Sequence, residues 1–259
     1  MMWLACILFL TAGALQAACG QALALGLDVS GSVDPVEYQM QREGLAAALT
    51  SQSVRQVLLA QGRAPTDIAV FEWSGPTHQA LVQPWTTVTD SQNLNALASN
   101  LRTTARVQGS LTTAIGSAML FGVGLLDQRS DCWKRTLDIS GDGPANTGPR
   151  PQDLPADAIP PDIIINALVI GNADLSGRDE RSVDIKELSS YFNAYVIRGP
   201  NAFVEVALGF EDYAAAMERK LLRELQSLAL SGTVESLPVT DVLQEMHLPR
   251  TRPVWITQP

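Results

Sequence analysis

Three polar segments of the sequence combine carboxylate and hydroxyl side chains in a way that suits a hard divalent cation. Asp28, Ser30 and Ser32 alternate along the first segment, Thr113 lies in the second, and Asp142 stands between two glycines in the third. Mg²⁺ prefers about six oxygen ligands and usually keeps some of its water. Two carboxylates would neutralise such an ion, and three hydroxyls would add ligands without adding charge. We therefore predict a metal site formed by these five residues.

The ligand types of this predicted site also indicate its chemistry. No cysteine or histidine occurs within the three segments, which disfavours zinc and copper. Because the hydroxyl ligands are neutral, the bound ion would remain electrophilic and would attract one more anionic oxygen. We expect an unknown partner protein to supply this oxygen from an acidic side chain.

Short apolar runs predict the strands that carry these segments. Residues 22–29 and 162–170 are almost continuously apolar, as in strands that are buried on both faces of a parallel sheet, and residues 135–139 are predicted as a further buried strand. Residues 66–73 and 79–85 are separated by a Gly-Pro turn, and they predict an antiparallel hairpin at a sheet edge.

Helical patterns alternate with the predicted strands. This alternation predicts an α/β fold with three layers, in which a doubly wound, mostly parallel sheet is covered on both faces. In open sheets of this kind, ligands bind beyond the carboxyl ends of the strands, where the first and third polar segments lie. The remaining predicted elements are helices at 35–60, 90–103, 112–126, 185–192 and 211–230, a polar loop at 172–184 and a strand at 202–208.

The polar segments resemble the metal-ion-dependent adhesion site of the von Willebrand factor A domain. Asp28-x-Ser30-x-Ser32, Thr113 in TAIG and Asp142 in SGDG match that motif in order, and the resemblance covers residues 20–230. The stretches DVSGSVDPVEY, SGDGPAN and AFVEVALGFEDY are similar to an exported bacterial branch of the family. The resemblance implies a six-stranded sheet of order 3-2-1-4-5-6 with one antiparallel edge strand, binding of Mg²⁺ or Mn²⁺, and a role in binding protein ligands.

Two further aspartates have structural interpretations. Asp34 is followed by Pro35 and, three positions later, by Glu37, which is the arrangement of a helix N-cap with a capping box. We therefore predict that Asp34 caps a helix and does not bind the metal ion. Asp138 lies in the middle of a predicted strand and is expected to be a buried carboxylate with a charged partner that the sequence does not identify.

The N-terminus predicts export of the protein. An apolar run from Trp3 to Leu15 ends in small residues, which is typical of a secretory signal peptide, here residues 1–18. The alternative is a buried first helix or strand, since no Lys or Arg precedes the run. We expect a periplasmic or secreted protein with no membrane span in the mature chain, because no later apolar stretch reaches about 18 residues. Residues 19–230 are predicted to form one domain, and 231–259 a C-terminal extension.

The two cysteines that follow the predicted signal peptide are spaced as if they form a disulfide. Cys19 lies nine residues before Asp28, and Cys132 lies ten before Asp142. If the two aspartates end neighbouring parallel strands, the cysteines lie level at the opposite ends, and a strand separation of about 4.8 Å suits a disulfide. The alternative for Cys19 is lipidation in a lipoprotein, although Gln16 stands where such signals favour an aliphatic residue.

The overall composition narrows the classes of function and of partner that are expected for this protein. Of the 259 residues, 46% are hydrophobic, which is enough for a sizeable core. The net charge is −9 and no Lys/Arg cluster is present, so we expect no nucleic-acid partner. The sequence has neither a nucleophile elbow nor a P-loop, which favours a binding protein over an enzyme. Two alternatives stay open: a metal-assisted hydrolase, and a structural protein whose ion only stabilises the fold.

Overall fold

The computed structural model of the chain describes residues 19–60, 63–107, 109–171 and 178–229. The predicted signal peptide (1–18) and C-terminal extension (231–259) lie outside the described residues. Within those ranges, no helix is both long enough and apolar enough to cross a membrane.

One six-stranded sheet with the order β3-β2-β1-β4-β5-β6 forms the centre of the structure. Five strands run parallel to one another, and β3 pairs antiparallel with β2 at one edge. The predicted fold class and strand order are therefore confirmed. The strands are β1 (Gln21–Asp28), β2 (Thr66–Trp73), β3 (Gln79–Val88), β4 (Lys134–Gly141), β5 (Ile163–Ile170) and β6 (Val204–Ala207).

The described helices cover both faces of this sheet. Four of them enclose one hydrophobic core with the first face, and two enclose a second core with the other face. The helices of the first core are α1 (Pro35–Thr50), α2 (Gln52–Leu58), α3 (Ser91–Thr103) and α6 (Tyr213–Ala229). Those of the second are α4 (Ile115–Leu126) and α5 (Arg178–Tyr195).

Strand β1 shows how both faces of a central strand are buried. Successive side chains of a strand point to opposite faces of the sheet. Leu23, Leu25 and Leu27 therefore contribute to the first core, and Ala22 and Ala24 contribute to the second. All five residues are at most 1% exposed. Both faces of β1 are thus packed with apolar side chains.

Two helical segments differ from the prediction. Residues 172–184 were expected to be a loop, but α5 begins at Arg178. Its first residues are mostly charged, and a hydrophobic pattern cannot reveal a helical turn that has no apolar side. The helix expected at 35–60, for which an interruption was the alternative, is two helices, because Ser51 ends α1 and accepts a hydrogen bond from the Val54 N–H as the N-cap of α2.

Asp34 is the N-cap of α1, as its sequence context predicts. Its carboxylate accepts hydrogen bonds from the backbone N–H groups of Val36 (2.6 Å) and Glu37 (2.8 Å). The Asp34 N–H donates to the Glu37 carboxylate at 2.8 Å, which completes the capping box. Asp34 thus fixes the direction in which the chain leaves the first polar segment.

A disulfide joins Cys19 and Cys132, the pair that the strand spacing predicts, with a Cα–Cα distance of 4.5 Å. Strands β1 and β4 are neighbours in parallel register, with Gln21 opposite Lys134. Cys19 lies two residues before Gln21, and Cys132 lies two residues before Lys134. The two cysteines are therefore level with each other beside the amino ends of the strands.

Peptide mapping tests this pairing. In protein purified from an oxidising compartment without reductant, we expect an alkylating reagent to modify Cys19 and Cys132 only after reduction. Disulfides persist in exported proteins and are rare in the cytosol. Free thiols at both positions in the unreduced protein, or a lipid on Cys19, would contradict the prediction.

Candidate metal centre

The first and third polar segments meet because they follow adjacent parallel strands. Asp28 is the last residue of β1, and Asp142 directly follows the last residue of β4. The register pairs Gly26 with Ile139, so Asp28 is level with Gly141. The two carboxylates therefore emerge at the same edge of the sheet, one strand apart.

A chain of hydrogen bonds links four of the five predicted ligands. The Ser30 N–H donates to Asp28 Oδ1 at 2.8 Å, and the hydroxyl oxygens of Ser30 and Ser32 are 3.1 Å apart. The Ser32 hydroxyl then donates to Asp142 Oδ1 at 2.8 Å. Side-chain oxygens from both segments thus converge on one point.

Thr113, the fifth predicted ligand, is held close to this group through its backbone. Its N–H donates to Asn146 Oδ1 at 2.8 Å, and its carbonyl accepts from the Asn146 N–H at 2.9 Å. The Thr113 side chain is buried, and within the described residues its hydroxyl makes no hydrogen bond to the other four ligands. The neighbouring Thr112 hydroxyl lies 2.9 Å from the Ser110 hydroxyl, so it has another partner.

Gly31 allows the first segment to lie directly against the second. Its N–H donates to the Leu111 carbonyl at 3.2 Å. A Cβ atom at position 31 would come within 2.8 Å of the same carbonyl oxygen, which no ordinary side chain tolerates. The glycine between the two serines is therefore needed for this close approach.

The electrostatics of the site fit a divalent cation. Asp28 is fully buried, and its Oδ2 atom has no hydrogen-bond partner within the described residues. Burial, together with the negative charge of Asp142, raises the pKa of Asp28 to about 8. Burial also raises the pKa of Asp142. Two acidic groups in such surroundings repel each other, and a cation between them would stabilise both in their charged forms.

Three residues that the sequence did not single out hold the site in place. Arg106 donates through Nη2 to the carbonyls of Val29 (3.0 Å), Ser30 (3.4 Å) and Val33 (2.9 Å). A single guanidinium thereby fixes the backbone of the whole first segment. An arginine in a polar loop carries no sequence signal for this role, because the contact spans more than 70 positions.

Gln41 and Asn146 are the other two supporting residues. Gln41 is buried in α1 and donates to the Asp28 carbonyl at 2.9 Å, while Asn146 connects the third segment to Thr113. A buried glutamine inside a helix could have been recognised as unusual, but its partner could not.

Replacing Arg106 by alanine is expected to weaken Mg²⁺ or Mn²⁺ binding by about tenfold, the lower end of the usual effect of groups that orient metal ligands. The ligands would all remain, but the backbone that places Ser30 would lose its fixed position. Isothermal titration with each ion measures the effect. Arg102→Ala is the control, because Arg102 forms an ion pair with Glu43 at the surface. Equal affinities in the two variants would show that Arg106 does not position the site.

A second cluster of potential ligand atoms belongs to the disulfide. Cys19, Asp67 and Cys132 bring their ligand atoms within 4.8 Å of one another. The two sulfurs are bonded to each other, whereas cysteines bind metals as thiolates. The Asp67 carboxylate has an ion-pair partner in Arg129 at 3.0 Å. This cluster is therefore not a second metal centre.

Comparison with protein families gives one match over most of the chain. Residues 18–229 match the family described as "Protein of unknown function (DUF1194)". No curated protein matches the chain in sequence.

Comparison with solved structures shows the fold of von Willebrand factor A domains. A von Willebrand factor type A protein from Catenulispora acidiphila is 16% identical with a TM-score of 0.53, and the match covers 80% of this chain and 43% of that one. Proximal thread matrix protein 1 from the mussel byssus, with a zinc-occupied MIDAS motif, is 15% identical with a TM-score of 0.52, and the match covers 83% and 49%. The pilus adhesin SpaC from Lactobacillus rhamnosus GG is 15% identical with a TM-score of 0.54, and the match covers 82% and 31%. The chain thus spans less than half the length of each of these three proteins.

Proposed function

The chain belongs to the DUF1194 family, and we propose that it is an exported protein-binding module that docks an acidic side chain of its partner through a divalent metal ion. The convergence of Asp28, Ser30, Ser32 and Asp142 on one point carries this proposal. The unpartnered Oδ2 atom of the buried Asp28 supports it, because a cation would give that oxygen a partner. Mg²⁺ or Mn²⁺ suits these oxygen ligands.

The metal ion would supply an electrophilic centre, and the protein would supply the surroundings that make it selective. The two carboxylates balance the charge of the ion, but the five protein ligands leave its shell of about six oxygens incomplete. An anionic oxygen from the partner completes that shell, and Mg²⁺ binds carboxylate oxygens well. Thr113 contributes its hydroxyl from the loop that Asn146 holds against the third segment.

Exposed apolar side chains around the candidate metal centre support a protein partner. Leu111 is 83% exposed and belongs to the loop that contacts Gly31. Val36 in the first turn of α1 and Leu208 directly after β6 are also well exposed. Val36 and Leu208 lie on segments that follow the carboxyl ends of β1 and β6, and Leu111 lies in the loop between α3 and α4. Grouped exposed apolar residues often mark interaction surfaces.

The comparisons agree with a binding role outside the cytoplasm. Two of the structural neighbours are described as a pilus adhesin and a thread matrix protein, neither of which is an enzyme by its description. The disulfide between Cys19 and Cys132 also favours an oxidising compartment. We propose the periplasm or the cell exterior, with residues 1–18 as signal peptide, 19–230 as the binding domain and 231–259 as an extension. The family match over residues 18–229 supports these domain limits.

Partner capture from a periplasmic extract tests the proposed function. The immobilised protein is expected to retain a partner in Mg²⁺, to release it in EDTA, and to retain it again when Mg²⁺ is restored. The Asp28→Ala variant should retain nothing above background in either condition. Retention that ignores both EDTA and the substitution would refute metal-dependent docking. If EDTA instead lowers only the melting temperature, the ion serves the stability of the fold alone.

A further inference from the structure

A cavity of about 370 Å³ lies beside the candidate metal centre. Asp142, one of the predicted metal ligands, lines it on one side together with Pro144. The end of β5 contributes Ile170 and Gly171, and helix α5 forms the opposite side. The cavity, which we name the α5 pocket, therefore adjoins the position at which a partner's acidic side chain would reach the ion.

One face of α5 gives the pocket both charge and apolar surface. Asp184, Glu187, Leu188 and Tyr191 line it, and their spacing places them along a single helical stripe. The pocket therefore combines two carboxylates with an aliphatic and an aromatic side chain. A small anion or a purely apolar ligand would match only part of this lining.

The two helical carboxylates have no basic partner among the side chains that the structure describes. Within the described part of the chain, Asp184 and Glu187 form no ion pair, although carboxylates elsewhere on the surface do. In the described residues, no three carboxylates bring their oxygens within 4.8 Å of one another. The pocket thus has the charge to bind a cationic side chain.

The charge balance around the metal centre also favours a cationic group in the α5 pocket. Asp28 and Asp142 together balance one divalent ion, and Arg106 offsets only one of the two charges that Asp184 and Glu187 add, so the neighbourhood stays negative. A partner that offers only a carboxylate would be repelled by this excess charge. A partner that also carries a positive side chain would satisfy both positions.

We propose that the α5 pocket binds the lysine or arginine side chain of the same partner segment whose carboxylate reaches the metal ion. This inference rests on the proposed function and adds to it the partner's chemistry: an acidic and a basic residue close together. The alkyl stem would pack on Leu188, and a guanidinium would stack on the Tyr191 ring near the two carboxylates.

A displayed library of random peptides tests this proposal. The library is passed over the immobilised protein in Mg²⁺, and bound peptides are eluted with EDTA and sequenced. We expect eluted peptides to carry Lys or Arg within a few positions of Asp or Glu. For a selected peptide, replacing its basic residue by alanine or using the Asp184→Asn/Glu187→Gln protein should each weaken binding about fivefold, and the two changes together should add little. The control protein is Asp131→Asn/Asp157→Asn, which removes two exposed charges away from the pocket.

The possible results separate this inference from the function on which it rests. EDTA-eluted peptides that are acidic without a basic preference would overturn the role of the α5 pocket and leave metal-dependent docking intact. If the Asp184→Asn/Glu187→Gln protein still selects peptides with a basic residue, the role of the α5 pocket would also be overturned, and metal-dependent docking would stay intact. If EDTA elutes no specific peptides, both proposals fail.

Discussion

Lys220→Met is expected to lower the free energy of unfolding by about 3–5 kcal/mol at neutral pH, because it removes one partner from a buried ionic cluster. The Lys220 ammonium is fully buried in α6, 2.6 Å from Asp138 on β4 and 2.6 Å from Glu224 one turn further along the helix. Burial alone would lower the pKa of Lys220, but the two carboxylates raise it above its ordinary value. Without the ammonium, the Asp138 carboxylate would remain in the core with its charge uncompensated, and Glu224 would lose its ion pair with Lys220.

The loss of stability in Lys220→Met should depend on pH. Burial already raises the pKa of Asp138 to about 7, against the attraction of Lys220, and removal of Lys220 would raise it further. An acid whose pKa is higher in the folded state destabilises the fold above that pKa, and the penalty declines as the pH falls towards the unfolded value of about 4. The difference between Lys220→Met and the unchanged protein should therefore be largest above pH 7 and smaller at pH 5.

Urea unfolding at the two pH values measures this prediction. Lys186→Met is the control, since Lys186 is exposed on α5 and its loss should leave the midpoint unchanged. A triple variant, Lys220→Met with Asp138→Asn and Glu224→Gln, should recover much of the lost stability, because no buried charge remains. A loss that is the same at both pH values would show that packing, rather than charge, accounts for the effect.

The ionic cluster could be predicted from the sequence only in part. Asp138 could be predicted as a buried, paired carboxylate because it interrupts an apolar strand. Its partner could not, because Lys220 belongs to an amphipathic helix 82 positions later, in which a lysine is expected on the solvent side. Only the packing of α6 against β4 and β5 brings the two groups together.

The fold was predictable because its signals are local or follow from general rules. Apolar runs mark β1 and β5, and the alternation with helices predicts a parallel sheet. The disulfide followed from the same register, since Cys19 and Cys132 stand at similar distances before Asp28 and Asp142. By contrast, the start of α5 was missed because its first turn has no apolar side.

At the candidate metal centre, the sequence predicted which four residues lie close together, while their binding of a metal ion stays a prediction. Asp28, Ser30, Ser32 and Asp142 follow strand ends, so the topology alone brings them together. Arg106 and Gln41 reach the first segment from α3's C-terminal loop and from α1, and the α5 pocket needs a helix whose start the sequence did not show. Residues that support or surround a site depend on tertiary packing, and they carry no motif.

Asp28→Asn is expected to weaken Mg²⁺ or Mn²⁺ binding by more than about 100-fold, which exceeds the effect of losing an outer partner of a metal ligand. Asparagine has nearly the same shape as aspartate, and its carbonyl oxygen can still accept the hydrogen bond from the Ser30 N–H. What is lost is one of the two negative charges and the oxygen that has no partner within the described residues. Without metal, the variant should be at least as stable as the unchanged protein, because a buried carboxylate is replaced by a neutral group.

Thermal and chemical unfolding with and without the metal ion separate these two effects. The unchanged protein should gain about 2.7 kcal/mol at an Mg²⁺ concentration of one hundred times its Kd, and Asp28→Asn should gain less than about 0.4 kcal/mol at that concentration. Asp34→Asn is the matched control, six positions later, because asparagine also caps helices well and Asp34 is bonded to the backbone of α1. If Asp34→Asn abolishes the gain while Asp28→Asn preserves it, the ion lies elsewhere and the assignment of Asp28 is wrong. A gain that survives in Asp28→Asn but disappears in Asp142→Asn would place the ion on the third segment alone.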